Sequence, residues 1–526
     1  MADKLSPLDY SLVIVYLVGI LLLGLWVSRK LKTGTDFFLA GRNLPWWAIG
    51  FSLVATDIGG TDIIGVGGTS FTHGLAVANF EWIGCVPAMI VAAFVFVPHF
   101  WRIGITTIPE FMEKRFNVGV RSALALCWVI FMACNLGIML LASAKLMNVL
   151  LGWDQAVCIV VTALLAGFYT AAGGLAAVVY TDVIQGTVLI AGCLLVVVLG
   201  LYDIGGPQKL QQEVEKQEQK LQEKAAEQPQ ESVVGERTKL ILPVETKSPF
   251  PWPAILFGLA LILSPAYWIG NQAIVQRSLG AKSDFDAKAS YVWGALLKNV
   301  IPFVIAVPGL IAFVRLTDLQ DGDKAIPQLV AELLPTGIRG IFLAAFLAAL
   351  MSSFDSYLNS ASTILTLDFY KRFWHQNVED RQILWIGRGI TLVLVGWAIC
   401  FAFLCNILNE GIYTIFQTLM SFFQGPALAI LLTGLLWKRA TGIAAFTGFL
   451  AGVLTSVTLF ILNQEAVYKA LGWQPLFRIP DPFLYLNVWA FVAAMLVIIV
   501  VSCGTPPEPA EKLRYLIGQP NNEKES

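Results

Sequence analysis

Six ionisable side chains interrupt long apolar stretches: Asp57, Asp62, Glu81, Asp182, Lys298 and Asp355. A charge within hydrocarbon is costly, so each is a candidate binding or relay group. The plainer reading of each is one half of a buried ion pair, or a helix-end residue that faces water. A third kind of chemistry sits in AALMSSFDSYLNSAS, which carries hydroxyls at Ser352, Ser353, Ser356, Ser360 and Ser362. A hard cation is held by oxygen ligands, and unwound backbone carbonyls facing serine hydroxyls supply such a shell without a dense carboxylate cluster. Hydroxyls on membrane helices also bond back to their own helix carbonyls, and that is the expectation for Ser360 and Ser362. No nucleophile–base pair and no metal-ligand spacing accompanies these groups, so the chain does not read as an enzyme. The 8 cysteines lie singly, and His73, His99 and His375 are far apart in sequence. Neither a disulfide framework nor a zinc site is indicated.

The elements that must position these groups are membrane helices. The 526 residues are 57% hydrophobic and 13% charged, with a mean hydropathy of +0.70. An ordinary soluble domain carries about a quarter charged residues. The formal net charge of -1 excludes the basic excess of a nucleic-acid binder. Apolar runs able to cross about 30 Å of hydrocarbon fall at 7–29, 45–72, 76–101, 122–150, 156–176, 180–203, 252–278, 287–315, 337–370, 382–405, 411–437, 441–463 and 483–503, which predicts thirteen helices. Basic residues including Arg29, Arg42, Arg102, Lys114, Arg115, Arg121, Arg277, Lys371, Arg372, Lys438 and Lys512 fall on one side of this alternation. The short segments on the other side hold Lys4, Lys145, Arg315, Lys324, Arg339, Lys469 and Arg478. The positive-inside rule then places the N-terminus outside and the C-terminus in the cytoplasm.

Two spans look interrupted. The second contains VATDIGGTDIIGVGGTS, whose five glycines and two acids argue for a broken helix lining a cavity. Close packing through small residues is the alternative. The seventh span, PWPAILFGLALILSPAYWIGNQ, carries Ser264-Pro265 in its interior and Gly270-Asn271 near its end; Pro265 removes a backbone donor there. Paired interruptions five spans apart point to inverted repeats around a midplane site. The predicted organisation is an N-terminal helix and first cytoplasmic loop (1–44), a five-helix repeat (45–203), an extracellular polar loop (204–251), a second five-helix repeat (252–437), two further helices (438–503) and a cytoplasmic tail (504–526). Within the polar loop, KLQQEVEKQEQKLQEKAAEQ reads as a short solvated helix followed by a linker.

The residues from about Leu8 to Trp437 resemble the sodium:solute symporter family, most closely its sodium–glucose cotransporter branch. The resemblance is carried by FFLAGRNLPWWAIGFSLVAT, FEW, TTIPEFMEKRF, YTAAGGLAAVVYTDVIQ, NQAIVQRSLGAK, LMSSFDSYLNSASTILTLDFYKR and GLLWKR. It implies an all-α polytopic membrane protein with the LeuT-type 5+5 inverted-repeat fold. It also implies a sodium site from the backbone oxygens of Ala55, Ile58 and Ala349 and the hydroxyls of Ser352 and Ser353. A second sodium in some relatives would fall near Asp182, Ser352, Asp355 and Ser356, although those relatives have a hydroxyl where this chain has Asp355. The sugar-binding residues carry over as Glu81, Lys298 and Gln417, with Ser264 lining the site and Tyr267 and Trp268 as gate and platform. Asp57 and Asp62 depart from the branch, which usually has Asn and then His or Gln. Those extra acceptors suit a different sugar, an inositol or an amino sugar, and they oppose a carboxylate solute. The implied partners are a sugar-like solute, Na+ as coupling ion and the lipid bilayer. The chain is expected to act as a monomer with no cofactor besides that ion. Proton coupling and a sugar sensor with little transport are the competing readings.

Overall fold

The computed structural model describes residues 6–29, 32–227, 236–246, 248–405, 412–472 and 482–519. Among them the chain is helical, without a β-strand. The first helix, α1 (Pro7–Ser28), is capped by Ser6 and Asp9. Asp9 also accepts the Gly337 and Gly340 amides at 2.8 and 2.7 Å, which ties α1 to the start of a later helix. A bent pair follows, α2 (Trp46–Asp57) and α3 (Gly60–His73), with 54° between the halves. The first unit continues with α4 (Leu75–Ile103), α5 (Val118–Leu151), the shorter α6 (Gln155–Phe168) and α7 (Gly174–Ile204). Gly174, at φ 54°, makes the turn between α6 and α7, a left-handed conformation that glycine adopts without penalty.

The second unit opens with another bent pair, α8 (Ala254–Gly270) and α9 (Gln272–Leu279), at 49°. After it come α10 (Asp284–Arg315), α11 (Ile338–Trp374), α12 (Asp380–Cys405) and α13 (Phe416–Leu436). Two helices, α14 (Gly442–Leu462) and α15 (Phe483–Gly504), pack together at the end. Ten of these helices are singly long and apolar enough to span a bilayer, and twelve spans result if each bent pair counts as one. With α6, whose fourteen residues fall short of the test, the elements coincide with the thirteen apolar runs read from sequence.

The packing is that of a membrane protein. Val15 and Leu22 on α1, Leu392 and Val393 on α12, and Leu496 and Val500 on α15 are exposed at the periphery. In contrast α11 is almost wholly buried, with every residue from Phe342 to Ile364 enclosed. Its serines therefore meet other helices. Ser360 donates to Gln276 Oε1 at 3.1 Å and Ser362 to the Gly387 carbonyl at 2.8 Å. The expectation that they bond within their own helix is thus corrected: α11 has partners on all sides, and those partners offer acceptors.

Of the two features read as interrupting the second broken span, only Gly270-Asn271 breaks it. At Pro265 the helix runs on: a π-helical stretch, Ala254–Leu263, precedes it and absorbs the missing donor. The chain breaks at Asn271 instead, which is extended at φ −72°, ψ 117° and whose side chain accepts the Ala273 amide at 3.0 Å, so capping α9. The glycines of α3 divide between the two readings offered for them. Gly59 and Gly60 belong to the break. Gly67 and Gly68 lie in regular helix, where the Ile326 side chain and the Gly322 carbonyl leave no room for a Cβ.

The polar loop is more than a linker. Its helix, Pro207–Glu227, was anticipated, but the segment after it docks. Arg237 donates to the Thr72 carbonyl at 2.8 Å, its backbone carbonyl accepts the Leu75 amide at 2.7 Å, and its guanidinium lies 4.2 Å from the centroid of the Phe313 ring. A cation thus caps the C-terminus of α3, where unsatisfied carbonyls concentrate partial negative charge, and Glu218 is its carboxylate partner at 3.4 Å. Gly74, at φ 84°, permits the approach, since a Cβ there would sit 2.2 Å from the Arg237 Cα.

Candidate solute and sodium sites

Residues beside both helix breaks line one cavity: Asp57 and Asp62 flank the first, and Tyr267 and Trp268 precede the second. In the first, the backbone pattern shows which carbonyls lose their helical partners. The Gly59 amide, which an unbroken helix would direct to the Ala55 carbonyl, donates to Asp62 Oδ2 at 2.9 Å. The Asp62 amide, which would go to Ile58, goes to the Gly59 carbonyl at 3.0 Å. The break therefore releases the oxygens of Ala55 and Ile58, the two positions that the resemblance names. Ser353 closes onto the same turn, donating to the Thr56 carbonyl at 2.7 Å, and Gly59 has no room for a side chain beside its hydroxyl. Ala55, Ile58, Ala349, Ser352 and Ser353 are all buried. The donor set is neutral oxygen throughout, which suits a monovalent hard cation.

Behind this turn lies a charged network. Asp182 on α7 accepts from Ser352 at 2.5 Å and from Ser52, and Arg277 stands 3.6 Å away. Arg277 also donates to Ser52 at 2.6 Å, and to Thr56 and Ser356. Arg277, counted from sequence among the basic residues of one side, is fully buried. The α9 half-helix turns inward, and its last turn carries the guanidinium into the core. Ser356 in turn donates to the Ser352 carbonyl at 2.5 Å and to Asp355 Oδ1 at 3.2 Å. Asp182, Asp355 and Ser356 thus share one fully buried cluster.

On the other side of the break a cavity is lined by Asp57, Asp62, Glu81, Ser264, Tyr267, Trp268 and Gln417. Of the eight residues expected at the solute site, seven line it. The eighth, Lys298, stands behind two of them. Its ammonium is fully buried, bonded to Asp57 and 2.5 Å from Glu81 Oε2, and 5.8 Å from the Trp268 ring centroid. Glu81 lies in a π-helical turn, Phe80–Cys85, a local irregularity that re-aims side chains and recurs at functional sites. Gly84 in that turn lets Ser264 come close, because a Cβ there would lie 2.6 Å from its hydroxyl. Tyr267 pairs with Tyr357 through their hydroxyls at 3.1 Å, and the Trp268 carbonyl accepts from Tyr291 at 2.8 Å.

Three buried polar atoms on the cavity residues have no protein partner: Thr61 Oγ1, Trp268 Nε1 and Gln417 Oε1. A buried polar group left unpaired is costly, so these atoms mark where a ligand rich in hydroxyls would bond. Thr61 and Tyr357 were not singled out from sequence. Thr61 sits inside the conspicuous glycine stretch, and Tyr357 inside the serine motif, but neither residue type offends a membrane span.

A profile of the sodium:solute symporter family matches residues 37–452. The sodium/glucose cotransporter of Vibrio parahaemolyticus is 35% identical over 475 residues, covering 85% of this chain and 84% of that protein. Rabbit (Oryctolagus cuniculus) sodium/glucose cotransporter 1 is 31% identical over 551 residues, covering 98% and 82%. Among solved structures, a Na+-coupled sialic acid symporter in a substrate-bound outward-open state superposes with a TM-score of 0.76 at 21% identity, over 95% of this chain and 99% of that one. That likeness concerns the fold, and it agrees with two five-helix units each opened by a broken helix. Helix count, paired breaks and family profile converge: this chain is a polytopic membrane protein of LeuT-type inverted-repeat architecture, and it belongs to the sodium:solute symporter family.

Proposed function

We propose that the protein is a sodium-coupled secondary active symporter that imports a sugar or sugar-like polyol by alternating access. The observation that carries this reading is the adjacency of two sites on one broken helix. The carbonyls of Ala55 and Ile58, with Ala349, Ser352 and Ser353, hold the ion. Asp57, one of the two residues between those carbonyls, faces the solute cavity and joins Lys298 and Glu81 there. An ion that fixes the break therefore also fixes a wall of the solute site, so that each ligand favours the conformation the other binds. Carboxylate and amide oxygens accept from solute hydroxyls, the Trp268 ring offers a platform for an apolar sugar face, and Tyr267 with Tyr357 forms a gate beside it. Asp182, Asp355 and Ser356 are a candidate second cation site, with Arg277 3.6 Å from Asp182. Inward movement of one sodium down a membrane potential supplies about 2.3 kcal/mol per 100 mV. The N-terminus lies outside and the C-terminus in the cytoplasm.

The test is uptake of labelled hexoses and inositols into proteoliposomes under an inward sodium gradient. Uptake is expected to disappear when choline replaces sodium. In the Ser352→Ala/Ser353→Ala double variant the sodium concentration for half-maximal uptake is expected to rise at least tenfold. Equal uptake in choline and in sodium would overturn the reading.

A further inference from the structure

The cavity carries more negative charge than a neutral sugar can answer. Asp57, Asp62 and Glu81 line it, and Lys298 is the cation bonded there, engaged by Asp57 and Glu81 together. Among the described residues no cation pairs with Asp62, whose Oδ2 is taken by the Gly59 amide as the first-turn acid of α3. The partial positive charge of a half-helix N-terminus, about half an elementary charge, eases that carboxylate without neutralising it. With all three acids ionised, one sodium at the adjacent turn leaves the assembly of three acids, one ammonium and one ion still negative by one charge. An uncompensated charge in a low-dielectric site is far more costly than an unpaired dipole.

The unpartnered atoms point the same way. Thr61 Oγ1 and Gln417 Oε1 are buried acceptors on the wall that holds Asp62, and neither has a protein donor. An ammonium offers three donors and one positive charge. A hydroxyl offers one donor and no charge.

We infer that the solute is an amino sugar, a polyol bearing one ammonium group, and that this ammonium is held by Asp62 with Thr61 and Gln417 while Glu81 and Asp57 take the hydroxyls. The inference rests on the symport reading above and narrows its solute class. With the ammonium in place the formal charges of the site sum to zero. A carboxylate-bearing sugar would add to the excess and is rejected by the same sum.

Uptake driven by a sodium gradient tests it in proteoliposomes of the full chain, comparing D-glucosamine and its 3-amino and 6-amino positional isomers with D-glucose and myo-inositol. Glucosamine and glucose differ little in size, so their ratio reads the charge. At least one amino sugar is expected to exceed glucose at least tenfold at equal concentration. The Asp62→Asn variant keeps an oxygen to cap the Gly59 amide, and in it that ratio is expected to fall at least tenfold. Sodium-driven uptake of glucose or inositol that equals or exceeds every amino sugar would overturn the inference and leave the symport reading standing. No sodium-driven uptake of any compound in the panel would overturn both. An unchanged ratio in Asp62→Asn would overturn the placement of the ammonium, and if that variant does not fold, the wild-type panel decides alone.

Discussion

Lys298 balances Asp57 and Glu81, and Arg277 stands against Asp182, so removing either cation strips those carboxylates of it. Truncating one partner of a buried pair typically costs about 3–5 kcal/mol. Lys298→Ala is therefore expected to abolish solute uptake and to lower thermal stability, because Asp57 and Glu81 would then repel one another across its vacated place. For Arg277→Met the expected loss is of the same size. The double variant Arg277→Met/Asp182→Asn should recover much of it, since the stranded charge is then gone. Thermal unfolding of the four-member cycle in detergent measures this, and purely additive losses would show that the two residues act independently. The two cations also mark what a sequence makes legible. Lys298, Glu81 and Asp57 stand out because they violate the apolar rule in mid-span. Arg277 sits at the last turn of a predicted span, just before a polar turn, where a charge is ordinary, so only the inward tilt of α9 reveals it. Thr61 and Tyr357 violate no rule at all.

The two breaks and the docked loop belong to the next scale. Glycine density and two acids located the first break correctly, since Gly59 and Gly60 do form it. Of the two features read in the second, Pro265 does not break the helix because a π-helical turn absorbs it, whereas Asn271 both ends one helix and caps the next. The docking of Arg237 was not legible, because a lone arginine in a long polar loop has no periodicity to announce it. Its role is measurable. Arg237→Ala removes a charged bond to the end of α3, a contribution of about 1.5–3 kcal/mol for a hydrogen bond to a charged group. Hydrogen exchange at the amides of Phe71–Asn79 is expected to accelerate in the variant, with the interior of α11 unaffected. Unchanged protection would mean that the loop rests on α3 without restraining it.

For the whole molecule, hydropathy alone supplied the thirteen elements and the pairing of the breaks supplied the two units, while the particular fold entered through extended motifs shared with a family. What neither could supply is which helix is central. The burial of α11 comes from tertiary packing, and its residues are no more apolar than those of helices that face lipid. The proposed orientation predicts that a reporter fused after residue 526 fluoresces in the cytoplasm. Activity of an exported reporter at that position would invert the assignment.

The ion pairs between the two units have a consequence for synthesis. Lys298 lies 241 residues after Asp57 and 217 after Glu81, and Arg277 likewise belongs to the second unit. At ~5–20 residues per second of translation, the nascent first unit waits on the order of ten to fifty seconds in the bilayer with Asp57 and Glu81 lacking their cation. Such a half-made chain carries the chemical mark of incompleteness that membrane quality control can read, and a message truncated before residue 277 should yield a fragment that is inserted and then degraded.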